Sequence, residues 1–511
     1  MNIPKLIDES SKLLRSGNIQ EAKNILLKIL KKNPKNILPY NMLISIHLNQ
    51  QNKKHAYELA LKSVAIEKKQ PQLLALCAEY NYHHENYLKA QEFINLALNI
   101  DSNNSKYYFL RARILSKSEE TDLALASYFK TIELDEFFFE AYINIGEIYN
   151  QNGQYDKAID HYLKTINKFP NQPDTYYNLG VIYNKKSSFD DALNAFEKVL
   201  ALNPNYRLAR LEVGFILLRR QNFEKGWKAY ESRFDGDISS HYGLPLCKKI
   251  DEPQSLLVWG EQGIGDHILF SSLLDNLKKI DKVTVAVEKR IINLLQRNFK
   301  DINFIDLNTI NNFHQYDFQI PIASLGEIFR GNADSFKNQP KRFLKTNSDL
   351  VSKFKKQFSD RKSLICGISW KSSSRSYGVE RSINLDLLGS SFLGSNIYLT
   401  NLQYGDTHED ISYLSDKFNL EFNEMDSLDK FNDIEGLSAL MDACDIIITA
   451  DNVTVHLAGA LGKKTYLILP KDYHGTWYWH DDKISRWYPS VEIFRFEIKE
   501  DFIKKIKKII S

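Results

Sequence analysis

Two stretches of this 511-residue chain combine glycines, carboxylates and helix starts in ways that suit group transfer. The first reads VWGEQGIGDHILF, where Gly260, Gly263 and Gly265 allow a tight turn and a close backbone approach to a ligand. Asp266 then falls at or near the start of the next helix. A carboxylate there can draw the proton from a hydroxyl, which is a poor nucleophile until that proton is being removed. It can equally cap the helix by accepting a backbone N–H. His267 is the neighbouring alternative base, or a surface histidine. The second stretch is ACDIIITADNVTVHLAGALGKKTYLILP, an apolar strand running into Asp451 and then a helix of small residues through His456, Ala458, Gly459, Ala460 and Gly462. Unpaired N–H groups and the positive end of the helix dipole suit a diphosphate. Asp451 as an N-cap and His456 as a buried, satisfied ring are the structural alternatives.

These residues need strands to carry them. From Ser255 onward short β-rich runs alternate with helices: 255–259, 283–288, 303–307 and 318–322, then, after a helical stretch near 348–358, 363–370, 396–403, 445–450 and 465–470. Such alternation predicts parallel βαβ units, and two successive series predict two Rossmann-like halves, 255–350 and 351–511, facing a cleft. Ligands gather at the carboxyl ends of such strands. A dinucleotide fingerprint would need a third glycine where Ile268 stands, although Glu288 ends the second strand where a ribose-binding acid would lie.

The G-x-G-D loop resembles that of glycosyltransferase family 9, the ADP-heptose:lipopolysaccharide heptosyltransferases, and the two-halved plan resembles the GT-B fold. That resemblance implies Asp266 as general base, with Gly263, Gly265 and His267 forming the acceptor-side loop. The second stretch resembles the family's D-[ST]-x-x-x-H-x-A segment, and more closely the D-N-S-T-x-H-L-A-G-A-L-G form of bacterial repeat proteins with a family-9-like C-terminus. Asp451, Asn452, Thr454 and His456 match it, whereas Val453 replaces the serine and loses a hydroxyl donor. GISWKSSSRSYGVERSINLDLL resembles the phosphate-side loop, with Arg381, or alternatively Lys371, gripping a diphosphate. Gln403 ends the strand of LTNLQYGD facing the cleft, and the terminal W-x-W…S-x-W-Y-P-S…F-R resembles the family ending, its Trp477, Trp479, Trp487 and Tyr488 expected to pack rather than stack on sugar. The likeness covers roughly 220–496 in scattered blocks. It implies a nucleotide-sugar donor bound by Arg381, Gln403, Asp451, Asn452, Thr454 and His456.

Residues 1–236 have a different grammar. Ala22, Ala56, Ala90, Ala124, Ala158, Ala192 and Gly226 recur every 34 residues, and Ala78, Ala112, Gly146, Gly180 and Gly214 keep the same period at a second phase. Small side chains at two fixed phases predict antiparallel helix pairs whose backbones meet there. Ser10 and Ile44 depart from the pattern, as do Lys68, Ser102 and Glu136 where Pro170 and Pro204 end the best copies. The array resembles tetratricopeptide (TPR) repeats over roughly 3–236, in about seven units. Such solenoids expose a groove lined by the first helix of each unit. Asn144 and Asn178 recur in phase there and form a candidate peptide-holding ladder, similar to that of protein O-GlcNAc transferases; two solvated side chains in register is the plain alternative. The stretch 237–254 reads as a linker.

Bulk properties narrow the rest. With 67 basic and 64 acidic residues the net charge is +3, which gives no electrostatic case for nucleic acid. Cys77, Cys247, Cys366 and Cys444 are too scattered for a zinc site or a disulfide framework. No N-terminal apolar core suggests a signal peptide, and no run approaches the ~20 apolar residues that span a bilayer. A cytoplasmic protein is expected. The one D-x-D candidate, Asp235–Asp237, precedes the sheet, so no metal or other cofactor is expected and transfer would be metal-independent. The tail IKEDFIKKIKKII is either a closing helix or, through Lys504, Lys505, Lys507 and Lys508, a weak contact for anionic lipid. The leading expectation is an inverting glycosyltransferase whose repeats present a protein or peptide. The alternatives are transfer to a lipid or polysaccharide, and a non-catalytic interaction scaffold with a degenerate GT-B domain. A homodimer is a further possibility of such arrays.

Overall fold

The computed structural model describes residues 2–234, 236, 238, 241–310, 313–359, 362–372, 381–425, 427–470 and 476–510. The chain forms two compact units, Met1–Ile182 and Tyr183–Ser511.

The first unit is built of helix pairs: Ile3–Arg15 with Ile19–Lys32, Ile37–Asn49 with Lys53–Ile66, Pro71–His83 with Tyr87–Ile100, Ser105–Lys117 with Thr121–Leu134, and Phe139–Gln151 with Tyr155–Lys168. The 34-residue alanines of this unit, Ala22, Ala56, Ala90, Ala124 and Ala158, are all fully buried, as the period predicted. Gly146 shows why small residues are needed: a Cβ there would lie 2.3 Å from Tyr162 Cζ. Ser10 and Ile44 occupy equivalent buried slots. The turn inside each pair adds a feature the composition conceals. Gly17, Gln51, Glu85, Glu119 and Gly153 all have positive φ, again 34 residues apart. They are the left-handed residues that end each first helix, and only two of these five are glycine.

The second unit opens with the helices Phe189–Leu202, Arg207–Arg219 and Phe223–Tyr230 and continues into two separate parallel sheets. Its left-handed turn residues Ser187 and Gln221 keep the same period. The sequence drew a boundary at 236, but packing joins the last helices to the α/β body. Trp227 is fully buried against Gly326 and donates its Nε1–H to Arg330 O at 2.8 Å. Arg219, nearly buried, pairs with Asp481 at 2.8 Å.

The first sheet contains β1 (Ser255–Trp259), β2 (Lys282–Val287), β3 (Ile302–Asp306) and β4 (Phe318–Pro321) in the order β3-β2-β1-β4. The second contains β5 (Leu364–Ser369), β6 (Ile397–Asn401), β7 (Phe422–Asn423), β8 (Ile446–Thr449), β9 (Thr465–Pro470) and β10 (Val491–Phe496) in the order β10-β9-β8-β5-β6-β7. Two of these strands, β7 and β10, were not expected from the sequence. The expected linker is partly structured: Cys247 N–H donates to Gln319 O at 2.8 Å and Gln319 N–H to Pro245 O at 2.9 Å, extending the first sheet beyond β4. Asp235 and Asp237 lie outside the described residues.

The C-terminal helix Lys499–Ile510 buries Phe502 and Ile506 in the core of the second sheet. Its apolar face is therefore occupied, as expected of a closing helix. Among the described residues no helix is long and apolar enough to cross a membrane. The four cysteines are free and buried, and burial pushes the Cys77 and Cys444 thiols up to about 12.

Candidate functional site

Strand order decides where a cavity opens. In the first sheet the chain reverses direction of growth between β1 and β4, and in the second between β5 and β8. Loops leaving the carboxyl ends of strands at such reversals diverge and leave a crevice. The glycine loop leaves β1, and the Asp451 loop leaves β8 beside the end of β5.

The glycine loop leads into the helix Ile264–Ser271. Asp266 sits in its first turn, and its Oδ2 accepts the Gly263 N–H at 3.1 Å. The carboxyl is half-buried, and burial raises it from 3.8 to about 6. The Gly263 bond and the charge of Arg381 oppose that rise, while Asp451 adds to it. Asp266 therefore caps its helix and also lies within the field of the second half's charged pair. At neutral pH it is mostly ionised but only about one unit above its midpoint, the range suited to a general base.

Two of the three glycines have a packing reason of their own. A Cβ on Gly260 would lie 2.4 Å from His267 Nε2, and one on Gly265 would lie 2.8 Å from His456 Cδ2. Each glycine makes room for a histidine ring. Gly263 alone of the three faces open space beyond the Asp266 carboxylate. His267 is buried, which corrects the surface alternative, and its Nδ1 accepts the Glu288 N–H at 3.2 Å. Burial lowers it to about 4, so it is neutral and tied to the end of β2. Glu288 is itself paired with Arg290 at 2.6 Å, which removes the free acid that a ribose would need.

In the second half, Asp451 is almost fully buried just ahead of the helix Val453–Ala460. Its Oδ2 accepts from Thr476 Oγ1 at 2.5 Å and lies 3.7 Å from Arg381 Nε. Lys371, the alternative cation, instead pairs with Asp410 at 2.6 Å. Asn452 caps the helix through Thr454 N–H at 2.9 Å, and its Nδ2 donates to Ser369 Oγ at 2.8 Å and Lys371 O at 2.9 Å. Gln403 is similarly engaged: its Oε1 accepts from the Trp370 and Lys371 N–H groups at 2.9 and 2.7 Å, and its Nε2 donates to Tyr404 O at 3.1 Å. Both amides hold the backbone that follows β5. Among the described residues the buried Thr454 hydroxyl has no hydrogen-bond partner.

His456 links the halves. Its Nδ1 lies 3.1 Å from Tyr488 Oη, its Nε2 3.4 Å from Tyr478 Oη, and its ring covers Gly265. Burial lowers it to about 4, so it is a neutral packing and hydrogen-bonding group. Trp477, Trp479, Trp487 and Tyr488 are buried, as expected of packing residues. The structure thus brings Asp266, Arg381, Asp451 and His456 together. Thr476 and Tyr478 were missed by the sequence; no spacing marks them, because they reach the site from the chain after β9. Among the described residues no group of three His, Cys, Asp or Glu side chains could hold a metal ion.

The expected peptide ladder is engaged within the array. Asn144 Nδ2 donates to Tyr128 Oη at 3.1 Å, and Asn178 makes the same kind of bond to Tyr162 one period later. Each ties a first helix to the preceding second helix.

Comparison with known proteins agrees on the repeats. The family described as "TPR repeat" matches residues 146–187, and the one described as "Tetratricopeptide repeat" matches 173–206. The chain therefore contains TPR repeats, modules of protein interaction. Protein FlbA of Caulobacter vibrioides is 27% identical over 291 residues, 52% of this chain and 48% of that protein. The chain thus spans about half the length of this curated relative. Among solved structures, YrrB, titled a TPR protein with an unusual peptide-binding site, is 22% identical with a TM-score of 0.32, covering 36% of this chain and 95% of its own. The MamA protein is 21% identical with a TM-score of 0.31, covering 33% and 92%.

Proposed function

We propose that this chain is an inverting, nucleotide-sugar-dependent glycosyltransferase of GT-B plan whose TPR array presents a protein or peptide acceptor. One observation carries the reading: Asp266 from the first sheet and the Arg381–Asp451 pair from the second converge at the two strand-order reversals, within each other's electrostatic reach.

In this reading the ionised Asp266 takes the proton of an acceptor hydroxyl as its oxygen attacks the anomeric carbon. The bond from that carbon to the diphosphate breaks on the opposite face, which inverts the configuration. Negative charge builds on the departing diphosphate, where Arg381 and the N-terminus of the helix Val453–Ala460 stabilise it without needing to reorganise. Asp451 orients Arg381 and accepts from donor hydroxyls. Asn452 and Gln403, with their amides engaged internally, position the loop after β5 rather than touching the donor. Thr454 adds a buried hydroxyl at the same helix start, and the neutral His456 sets the spacing of the halves.

A non-catalytic scaffold is the second reading, favoured by the engaged amides of Asn452 and Gln403 and by Val453 at the position of a lost hydroxyl donor. Calorimetry with UDP-, GDP-, ADP- and CMP-sugars on wild type and Asp451→Ala separates the two, combined with a donor-hydrolysis and transfer assay in EDTA. One donor class should bind, fail to bind the variant, and be turned over without added metal. Absence of binding by any donor to folded protein would sink the enzymatic reading.

A further inference from the structure

The first unit holds a cavity of about 960 Å3. That is the upper end of the roughly 300–1,000 Å3 found for ligand pockets. Its walls come mainly from the first helices of three successive repeats, Ile37–Asn49, Pro71–His83 and Ser105–Lys117. On the last of these, Lys106, Phe109, Leu110 and Arg113 follow one another at helical spacing and all line the cavity. Leu73 and Leu76 of the middle helix add apolar surface. Neither Asn144 nor Asn178 contributes.

The charges in this cavity are unbalanced in a particular way. The Arg113 guanidinium lies over the Tyr82 ring at 4.5 Å and the Phe109 ring at 5.9 Å. Stacking of this kind orients the planar fork while leaving its N–H donors available. Among the described residues Arg113, Lys69 and Lys106 make no ion pair with a carboxylate. Two acids share the lining: Glu79, 3.8 Å from His83, and Glu67, which accepts the Lys69 N–H at 3.3 Å; neither is paired with Arg113 or Lys106. The cations of the lining thus outnumber its carboxylates three to two, and among the described residues Arg113 and Lys106 border the apolar, aromatic surface without an ion-pair partner.

We infer that this cavity receives an extended, acidic segment of another polypeptide. Aliphatic or aromatic side chains of that segment rest on Leu73, Leu76 and Leu110, and a carboxylate pairs with Arg113 in a two-pronged, charge-assisted contact. A polynucleotide fits less well, because it needs a continuous track of cations for its phosphates and offers nothing for the leucines. The inference rests on reading the array as the part that receives a protein, and it is independent of sugar transfer.

The test is an array of nine-residue peptides in four classes, acidic–apolar, neutral–apolar, basic–apolar and acidic without apolar residues, together with oligo-dT, probed with the labelled full-length chain. The best peptide is then measured by fluorescence anisotropy. Acidic–apolar peptides should be retained most strongly, and Arg113→Gln should weaken the best one about tenfold, as expected for losing a hydrogen-bonded charge partner. Arg113→Lys should fall in between, and both variants should keep the wild-type circular dichroism and melting temperature. Equal binding of neutral and acidic peptides overturns the acidic preference while leaving protein capture standing. Unchanged affinity in Arg113→Gln, or tighter binding of oligo-dT, overturns the proposal itself. Retention of no peptide class overturns both it and the protein-receiving reading.

Discussion

Replacing Asp266 by asparagine separates the two roles that one carboxylate plays. Asparagine keeps the shape and can still accept the Gly263 N–H, so the helix cap survives. What changes is the charge. Burial lifts the Asp266 carboxyl from 3.8 to about 6, so the unfolded chain ionises this group more readily than the folded one. Wild-type stability is therefore lost as pH rises from about 4 to about 6 and stays lost above that. A rise of that size corresponds to roughly 3 kcal/mol, discounted to about 1–3 kcal/mol for the group's partial exposure to solvent. Asp266→Asn removes this penalty. The variant should match wild type near pH 4 and exceed it near pH 7.5, read by calorimetric melting as a gain of a few degrees in the second unit's transition. If Asp266 is the base, transfer should fall by about 10²–10⁴-fold in the same stabilised protein. A variant that melts lower than wild type at pH 7.5, with no closing of the gap at pH 4, would refute the burial argument. Loss of activity through simple unfolding would show as that lower melting temperature.

Other changes probe the packing around this site and the array. Gly265→Ala forces a Cβ to 2.8 Å from the His456 ring, wedging the halves apart; it should cost about 1–3 kcal/mol in thermal or urea melting and weaken donor binding as well. Asp451→Ala strips Thr476 of its acceptor and Arg381 of its neighbouring carboxylate, and should abolish donor binding by calorimetry with a stability loss of about 1–3 kcal/mol. Asn144→Ala breaks the bond to Tyr128 Oη and should lower the melting temperature of the array by the equivalent of about 1 kcal/mol, with peptide affinity unchanged in anisotropy.

The amino-acid sequence by itself determined the repeat array and most of the strands. Helices can approach closely only where side chains are small, so Ala22 through Ala158 report their packing directly through a fixed period. Likewise β1, β5 and β8 are apolar runs too short to be helices, and Asp266 and Asp451 are legible because a carboxylate at a helix start has few uses. Tertiary structure alone decided what those residues touch. Glu85 and Glu119 give no sign of a left-handed turn, since the surrounding helices impose that conformation on whatever residue arrives there. Gly260 and Gly265 read as a ligand loop but make room for His267 and His456, and Asn144, Asn452 and Gln403 offer amides that internal partners already engage. Thr476 reaches Asp451, and Trp227 fastens the last repeat helices to the α/β body at Arg330, across long separations in the chain. Periodicity encodes which face of an element is buried. The partner on the other side of that face is set by how distant segments pack, which local spacing does not record.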